Sequence, residues 1–533
     1  MSATPHNGHS SSFSTLLEIL DHYRFTRGVK VRGKKALEDI MVRRLKDDIR
    51  QVQGGFPKRQ VKRVVIDGLP DDAPELVLSR LLDEYRSLRE ERHEVTSKRA
   101  QAAAGLLIVG LQQRLLSSIE AFARTLTIHR KTVKKQWEKG RAAQAAATDP
   151  VRDRLLKQDG QRLLSVPDAD DERAEWTDEE LEAEESSQIR AITEAAEAES
   201  PRDDEAAAIW QKEQKLLDRM EEITAEARHR PDAKMLCLID WIRDNMCSGL
   251  PVFGQRASGD PPAWNERRVL IFTENREGTK RRLREILGQA IAGTELSEDR
   301  IAVIDGLTRG DARKEVQRRF NTDPRREPLR ILIATDAARE GLNFQAHCAD
   351  LFHFDLPWNP GRLEQRNGRI DRKLQPAAEV RCHYFVLPQR AEDYVLEVLV
   401  RKTETIKKEL GSLSKIIDDD IERVLKAGIR HADTKAIARK IEGADIDDKR
   451  KKANEEELEV ARDRQDDLKA QIERCQSLLE KSRNWVGFSA EPFREALSCS
   501  LEIVGAEPLK REEDEVSAAN LVEGDSAIYR HAL

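Results

Sequence analysis

The sequence predicts an α/β protein in which a lobe built on a parallel β-sheet is flanked by extensive α-helical regions. Three observations predict it. Short β-branched runs at 269–273, 301–305, 330–335, 351–355 and 380–386 alternate with amphipathic helices near 279–287 and 311–320, the pattern of strands joined by helical crossovers. Charged residues make up 36% of the chain and aromatics 5%, which suits long solvated helices around a smaller core. At 533 residues the chain exceeds a single domain of roughly 100–200 residues, so several units are expected.

Residues 13–52 read as a basic helical segment, with apolar residues at helical spacing in 40–49. Gly54 and Gly55 interrupt it, and 61–66 alternate like a strand, so 1–65 are expected to be the end of an upstream unit. A helical region follows over 66–165, where 113–126 alternate core-like and polar positions. Between 168 and 205 acidic residues outnumber basic ones and large apolar residues are scarce, so 166–230 are read as a solvated linker. The sheet lobe occupies 231–392. Beyond it, 393–533 are expected to be helical, with the charged run 447–474 forming a long exposed helix or coiled-coil arm.

Composition narrows the function classes. The six cysteines form no CxxC pair and no zinc-ligand spacing, so they are read as reduced thiols of a cytoplasmic protein with no metal site. The apolar stretch at 106–111 is far short of the about 20 residues that a membrane span needs, so no membrane partner is expected. A net charge of −6 leaves nucleic acid open as a partner, because one locally basic face suffices.

The chemistry concentrates after the strand at 351–355, where Arg366, Arg369 and Arg372 recur every three residues. On a helical turn that spacing projects them near one face, where they can converge on an anion. A guanidinium is permanently charged and presents a planar fork of donors, suited to the charge that develops on a transferring phosphoryl group. An ordinary basic surface helix carries the same spacing. Upstream, Thr335 and Asp336 end a strand, where open α/β sheets place ligands, and Gly341 permits close backbone approach to a phosphate. A simple strand-to-helix turn is the alternative there.

Together these residues resemble the C-terminal half of a Swi/Snf-type superfamily 2 helicase, the second RecA-like lobe of its motor. Gln365, Arg366, Gly368, Arg369 and Arg372 fill the QR-x-G-R-x-x-R pattern of motif VI, and Gln375 fits its closing glutamine. Thr335, Asp336, Gly341 and Asn343 match motif V, and the segment 268–275, with Thr273 and Asn275, resembles motif IV. The helix with Arg313, Arg318 and Arg319 fits the same lobe, and Arg43, Arg44 and Lys46 match the end of a first lobe. The resemblance covers roughly 35–70 and 235–390, and the stretch 114–126 is similar to a bacterial Swi/Snf-like branch.

What the resemblance implies is specific. Arg369 and Arg372 become the catalytic arginine fingers; Asp336, Gly341, Gln365 and Arg366 the nucleotide contacts; Thr273, Asn275, Thr335 and Asn343 the nucleic-acid contacts. ATP with Mg2+ is the implied cofactor pair, double-stranded DNA the implied partner, and phage-defence or restriction components of the DISARM type an implied setting.

Such a motor also needs a phosphate-binding loop and a strand-end carboxylate for Mg2+. Gly33-Lys34-Lys35 lacks the loop pattern, and the acidic Asp178-Glu179-Glu180-Leu181 has no apolar strand before it. The expectation is therefore a separately encoded first lobe and no ATP turnover by this chain alone. The alternative is a non-catalytic nucleic-acid-binding or scaffold protein derived from a helicase. An interaction protein working through the acidic and C-terminal helices is compatible with either.

Overall fold

A computed structural model describes residues 15, 17–27, 56–142, 178–198, 200, 203–255, 259–274, 276–305, 308, 310–335, 343–373, 375–410, 421, 423–443, 474, 477–478, 481, 490–506, 510–511 and 529–530. The chain forms two compact units, Met1–Asp447 and Asp448–Leu533.

Six parallel strands among the described residues make the sheet of the first unit: β1 (Lys58–Val65), β2 (Val269–Thr273), β3 (Ile301–Ile304), β4 (Ile331–Thr335), β5 (Asp350–His353) and β6 (Glu379–Val386). Their order is β1-β6-β5-β2-β4-β3. The five runs expected as strands are β2 to β6. β1 departs from expectation: residues 58–65 are not the end of an upstream unit, because all eight pair in register with Glu379–Val386. Its Val61 and Val64 also pack into the lobe's apolar clusters.

Between β1 and β2 the chain builds a bundle of α1 (Pro74–His93), α2 (Lys98–Ser117), α3 (Ile119–Ala142), α4 (Asp178–Glu197) and α5 (Asp204–Ala227). Its core joins Leu82 and Tyr85 of α1, Leu107 and Leu111 of α2, and Phe122 and Leu126 of α3 to Ile189 and Ile192 of α4 and Leu217 and Met220 of α5. The stretch read as a solvated linker is thus packed helix over 178–197 and 204–227. The physical reason lies in its acidity. Buried Glu197 accepts hydrogen bonds from Arg89 (2.8 Å) and Arg92 (3.0 Å), and buried Glu213 receives two from Arg92 (2.9 and 2.8 Å), so the carboxylates neutralise arginines inside the bundle. Caps fix the helix starts: Ser97 accepts from the Ala100 amide and Asp203 from the Ala206 amide.

The sheet faces sort by strand periodicity. Val269, Ile271, Ile331, Ile333 and Phe352 pack against α6 (Ala233–Asn245) and α7 (Arg281–Ile291). Leu270, Phe272, Leu332, Ala334 and Leu351 pack on the other side with Phe320 of α8 (Gly310–Asn321), Phe344 and Ile370. Burial on both faces explains why these strands read as near-continuous apolar runs. α9 (Pro360–Asn367) leads to β6, and α10 (Ala391–Leu410) and α11 (Thr434–Glu442) pack against Val109 and Leu116 of α2.

The second unit contains α12 (Ala490–Ile503) and an antiparallel pair, Lys510–Arg511 with Tyr529–Arg530, so it is not helical throughout. The basic segment at 28–55 with Arg43, Arg44 and Lys46, the acidic residues 168–177 and nearly all of the charged run 447–474 lie outside the described residues. Among the described residues no disulfide joins the cysteines, and no helix is long and apolar enough to cross a membrane.

Candidate functional site at the carboxyl edge of the sheet

Parallel strands deliver their carboxyl ends to one edge, which is where open α/β sheets bind ligands. Here that edge gathers Thr273 at the end of β2, Asp305 after β3, Thr335 at the end of β4 and Asp355 just beyond β5.

Asp355 is the hub. Its Oδ2 accepts from the hydroxyls of Thr273 and Ser117, each at 2.6 Å, and its Oδ1 from the Glu274 amide at 2.8 Å. Arg366 of α9, with no exposed surface, donates from Nη1 to the Asp355 carbonyl at 2.8 Å and lies over the Phe272 ring. Thr273 is therefore not positioned to touch nucleic acid as expected: it is fully buried and its hydroxyl is committed to Asp355. Its neighbour Asn275 lies outside the described residues, as do Asp336 and Gly341.

α9 is short for a stated reason. Asn359 caps it by accepting from the Arg362 amide, Pro360 occupies its first turn, and it ends at Asn367 with Gly368 as the cap. Arg369 and Arg372 consequently sit on successive turns beyond the helix, so the three arginines do not share one helical face as the spacing suggested. The turn is pinned from below. Gln375 donates to the carbonyls of Cys348 (2.9 Å) and Ile370 (3.1 Å), and His353 bonds Asn367 at 2.8 Å. Burial and the nearby Arg366 charge push His353 down to about 3, so its ring is neutral and its Nε2–H donates to Asn367 Oδ1.

The exposure of the motif residues is graded. Arg366 and Arg369 are buried, Arg372 is half-buried, and Gln365 is exposed. Arg372 donates from Nε to the Gly368 carbonyl at 2.9 Å, and among the described residues no carboxylate lies within 4.0 Å of it. Burial alone lowers its pKa. At β4 the Thr335 hydroxyl is fully buried and, among the described residues, has no hydrogen-bond partner; the same holds for the Asn343 Oδ1 atom. The Asn343 carbonyl is held by Asn321 (2.8 Å) and Gln317 (3.2 Å) of α8.

Two positioning residues escaped sequence reasoning. Arg59 of β1 binds Glu364 of α9 and Glu404 of α10, each at 2.7 Å, and lies 3.7 Å from Asp371 within the arginine turn. Lys234 at the start of α6 donates to the carbonyls of Leu116 (2.7 Å), Ser117 (2.6 Å) and Phe354 (3.1 Å), stapling α2 to the end of β5. Arg59 lies just before the alternating stretch at 61–66, a faint signal; nothing in the sequence pairs Lys234 with its carbonyls.

No cluster of His, Cys, Asp or Glu among the described residues could hold a metal ion, and Asp305 is engaged by Lys280 at 2.7 Å. Of the cationic and hydroxyl groups described at this edge, Arg372 is half-buried, while Arg366 and the residues Thr273 and Thr335 are fully buried.

Comparison with known proteins finds helicase sequences. The family described as "Helicase conserved C-terminal domain" matches residues 264–373. An uncharacterized ATP-dependent helicase, YqhH, of Bacillus subtilis (strain 168) is 39% identical over 92 residues, which is 17% of this chain and 16% of that protein. Defense against restriction protein B of Escherichia phage P1 is 37% identical over 82 residues, 15% of this chain and 4% of that one. The chain thus spans only a small part of these relatives. A crystal structure of the C-terminal part of the Fun30 ATPase domain aligns over 70% of this chain and all of its own length, at 13% identity and a TM-score of 0.32. Residues 264–373 therefore carry a helicase conserved C-terminal domain, within a segment that shares sequence likeness with an ATP-dependent helicase.

Proposed function

We propose that this chain is the C-terminal motor lobe of an ATP-dependent DNA helicase or translocase of the Swi/Snf type, completing a nucleotide site whose first lobe is carried on another chain. The observation that carries the reading is Arg372, whose guanidinium has no carboxylate partner among the described residues while its turn is braced by Gln375, His353 and Arg59. A preorganised arginine of this kind acts on the transition state, where the charge on the transferring phosphoryl group is greatest.

ATP and Mg2+ fit this half-site only in part. Arg372 and Arg369 suit the γ-phosphate oxygens, and Mg2+, with the loop that cradles the phosphates, belongs to the first lobe; bound there, the metal neutralises phosphate charge. Gln365, Arg366, Asp336 and Gly341 complete the proposed nucleotide side, with Arg366 organising the turn through Asp355. Asn343, which is half-buried, is the proposed contact to the backbone of double-stranded DNA, whereas Thr335 is as fully buried as Thr273 and is not placed to touch it. The setting we propose is a cytoplasmic phage-defence or restriction system.

In a reconstituted two-lobe complex, Arg372→Ala or Arg369→Ala should lower kcat by ~10³-fold or more while nucleotide affinity stays within a few-fold. Wild-type turnover by both variants would remove the assignment.

A further inference from the structure

The bundle between β1 and β2 is bolted to the carboxyl edge of the sheet. Ser117 reaches Asp355 at 2.6 Å, Thr279 lies 2.6 Å from Ser117 and 2.8 Å from Ser118, and Lys234 ties the end of α2 to Phe354. Contact at the start of α3 is closer still: a Cβ on Gly278 would lie 2.6 Å from Ala121 Cα, so backbone touches backbone there. Glu120 of α3 also faces Arg281 of α7 at 3.5 Å. α3 therefore leaves the carboxyl edge of the lobe as a fixed arm.

Charge is segregated along that arm. α4 is dominated by glutamates with Arg190 as its single cation, whereas in α3 basic residues far outnumber Glu120 and Glu138. Arginines of the bundle surface are matched: Arg114 with Glu185, Arg130 with Asp218 and Glu221, and Arg228 with Glu120. Lys131, Lys134 and Lys135 differ. They are exposed, and no carboxylate among the described residues lies within 4.0 Å of them. Their spacing puts them on one helical face, about 15–21 Å along the axis from Ala121.

A rigid arm with an unmatched row of ammonium groups, leaving the edge where the lobe meets its ligand, fits a polyanion that continues past that edge. Resting on the proposed DNA-motor reading, we infer that Lys131, Lys134 and Lys135 form a second contact to the phosphate backbone of duplex DNA, carried with the lobe when it moves. Ammonium groups on flexible stems bind phosphates as point charges and carry no base readout.

The test is fluorescence anisotropy of the purified chain on a mixed-sequence duplex of about 30 base pairs, over a series of salt concentrations. Each phosphate contact contributes ~0.9 to the slope of log K against log salt. The triple variant Lys131→Gln, Lys134→Gln, Lys135→Gln should lower the slope by ~2–3 and weaken binding ~10- to 100-fold at low salt. The double variant Lys435→Gln, Lys440→Gln, on exposed positions of α11, should bind as wild type does. An unchanged slope in the triple variant, an equal loss in the control, a preference for duplex RNA, or no wild-type binding at low salt would each overturn the inference. ATP hydrolysis by the two-lobe complex and its loss in Arg372→Ala judge the motor reading separately, so either can fail without the other.

Discussion

Replacing Arg59 by methionine should loosen the arginine turn without unfolding the lobe. Burial pulls the Arg59 pKa down and the carboxylates of Glu364 and Glu404 more than reverse it, so the guanidinium is charged and matched. Methionine keeps the stem's volume and leaves three carboxylates, those of Glu364, Glu404 and Asp371, facing one another. Removing one partner of a buried pair costs ~3–5 kcal/mol. Glu364 and Glu404 retain 24% and 21% exposure, so solvent screens part of this and the lower figure applies. A loss of ~3 kcal/mol in local opening corresponds to a fall of ~10² in amide protection, at about 1.4 kcal/mol per decade. Hydrogen exchange of peptides covering 359–375 reads this directly, with β2 and β4 as internal references. Adding Glu364→Gln should restore part of the protection. Unchanged protection at 366–373, or a uniform loss across the sheet, would refute the bracing role of Arg59.

Two further perturbations probe the same architecture. His93 and His353 are both pushed down to about 3, chiefly by burial and then by Arg89 and Arg366 respectively, and are neutral in the fold while the unfolded chain protonates them near 6.5. Stability is therefore lost as pH falls from 6.5 towards 3, by up to ~1.4 kcal/mol per pH unit for each ring; denaturant midpoints flat from pH 7.5 to 5 would contradict this. Gly278→Ala places a methyl 2.6 Å from Ala121 Cα and should cost ~1–3 kcal/mol by prising α3 from the edge; hydrogen exchange at 117–122 matching wild type would show that the backbone contact is absent.

What was legible in the sequence follows from range. β2, β4 and β5 are buried on both faces, so each announces itself locally as an apolar β-branched run. β1 has a partner more than three hundred residues away and shows only an alternating basic stretch, which by itself points nowhere. The glutamates of α4 and α5 looked like solvent-facing charge because their counter-ions, Arg89 and Arg92, come from α1. Arginines at intervals of three implied one helical face, and Gly368 ends the helix before the second of them. Asp355 belonged to an expected strand, yet its role as the link between Ser117, Thr273 and Arg366 exists only once three elements meet.

The most direct test of the central claim is DNA-stimulated ATP hydrolysis by the purified chain, alone and mixed with the product of the neighbouring upstream gene. Hydrolysis only in the mixture is the predicted result; hydrolysis by the chain alone, or none in the mixture with duplex DNA present, would contradict a motor lobe that completes its nucleotide site in trans.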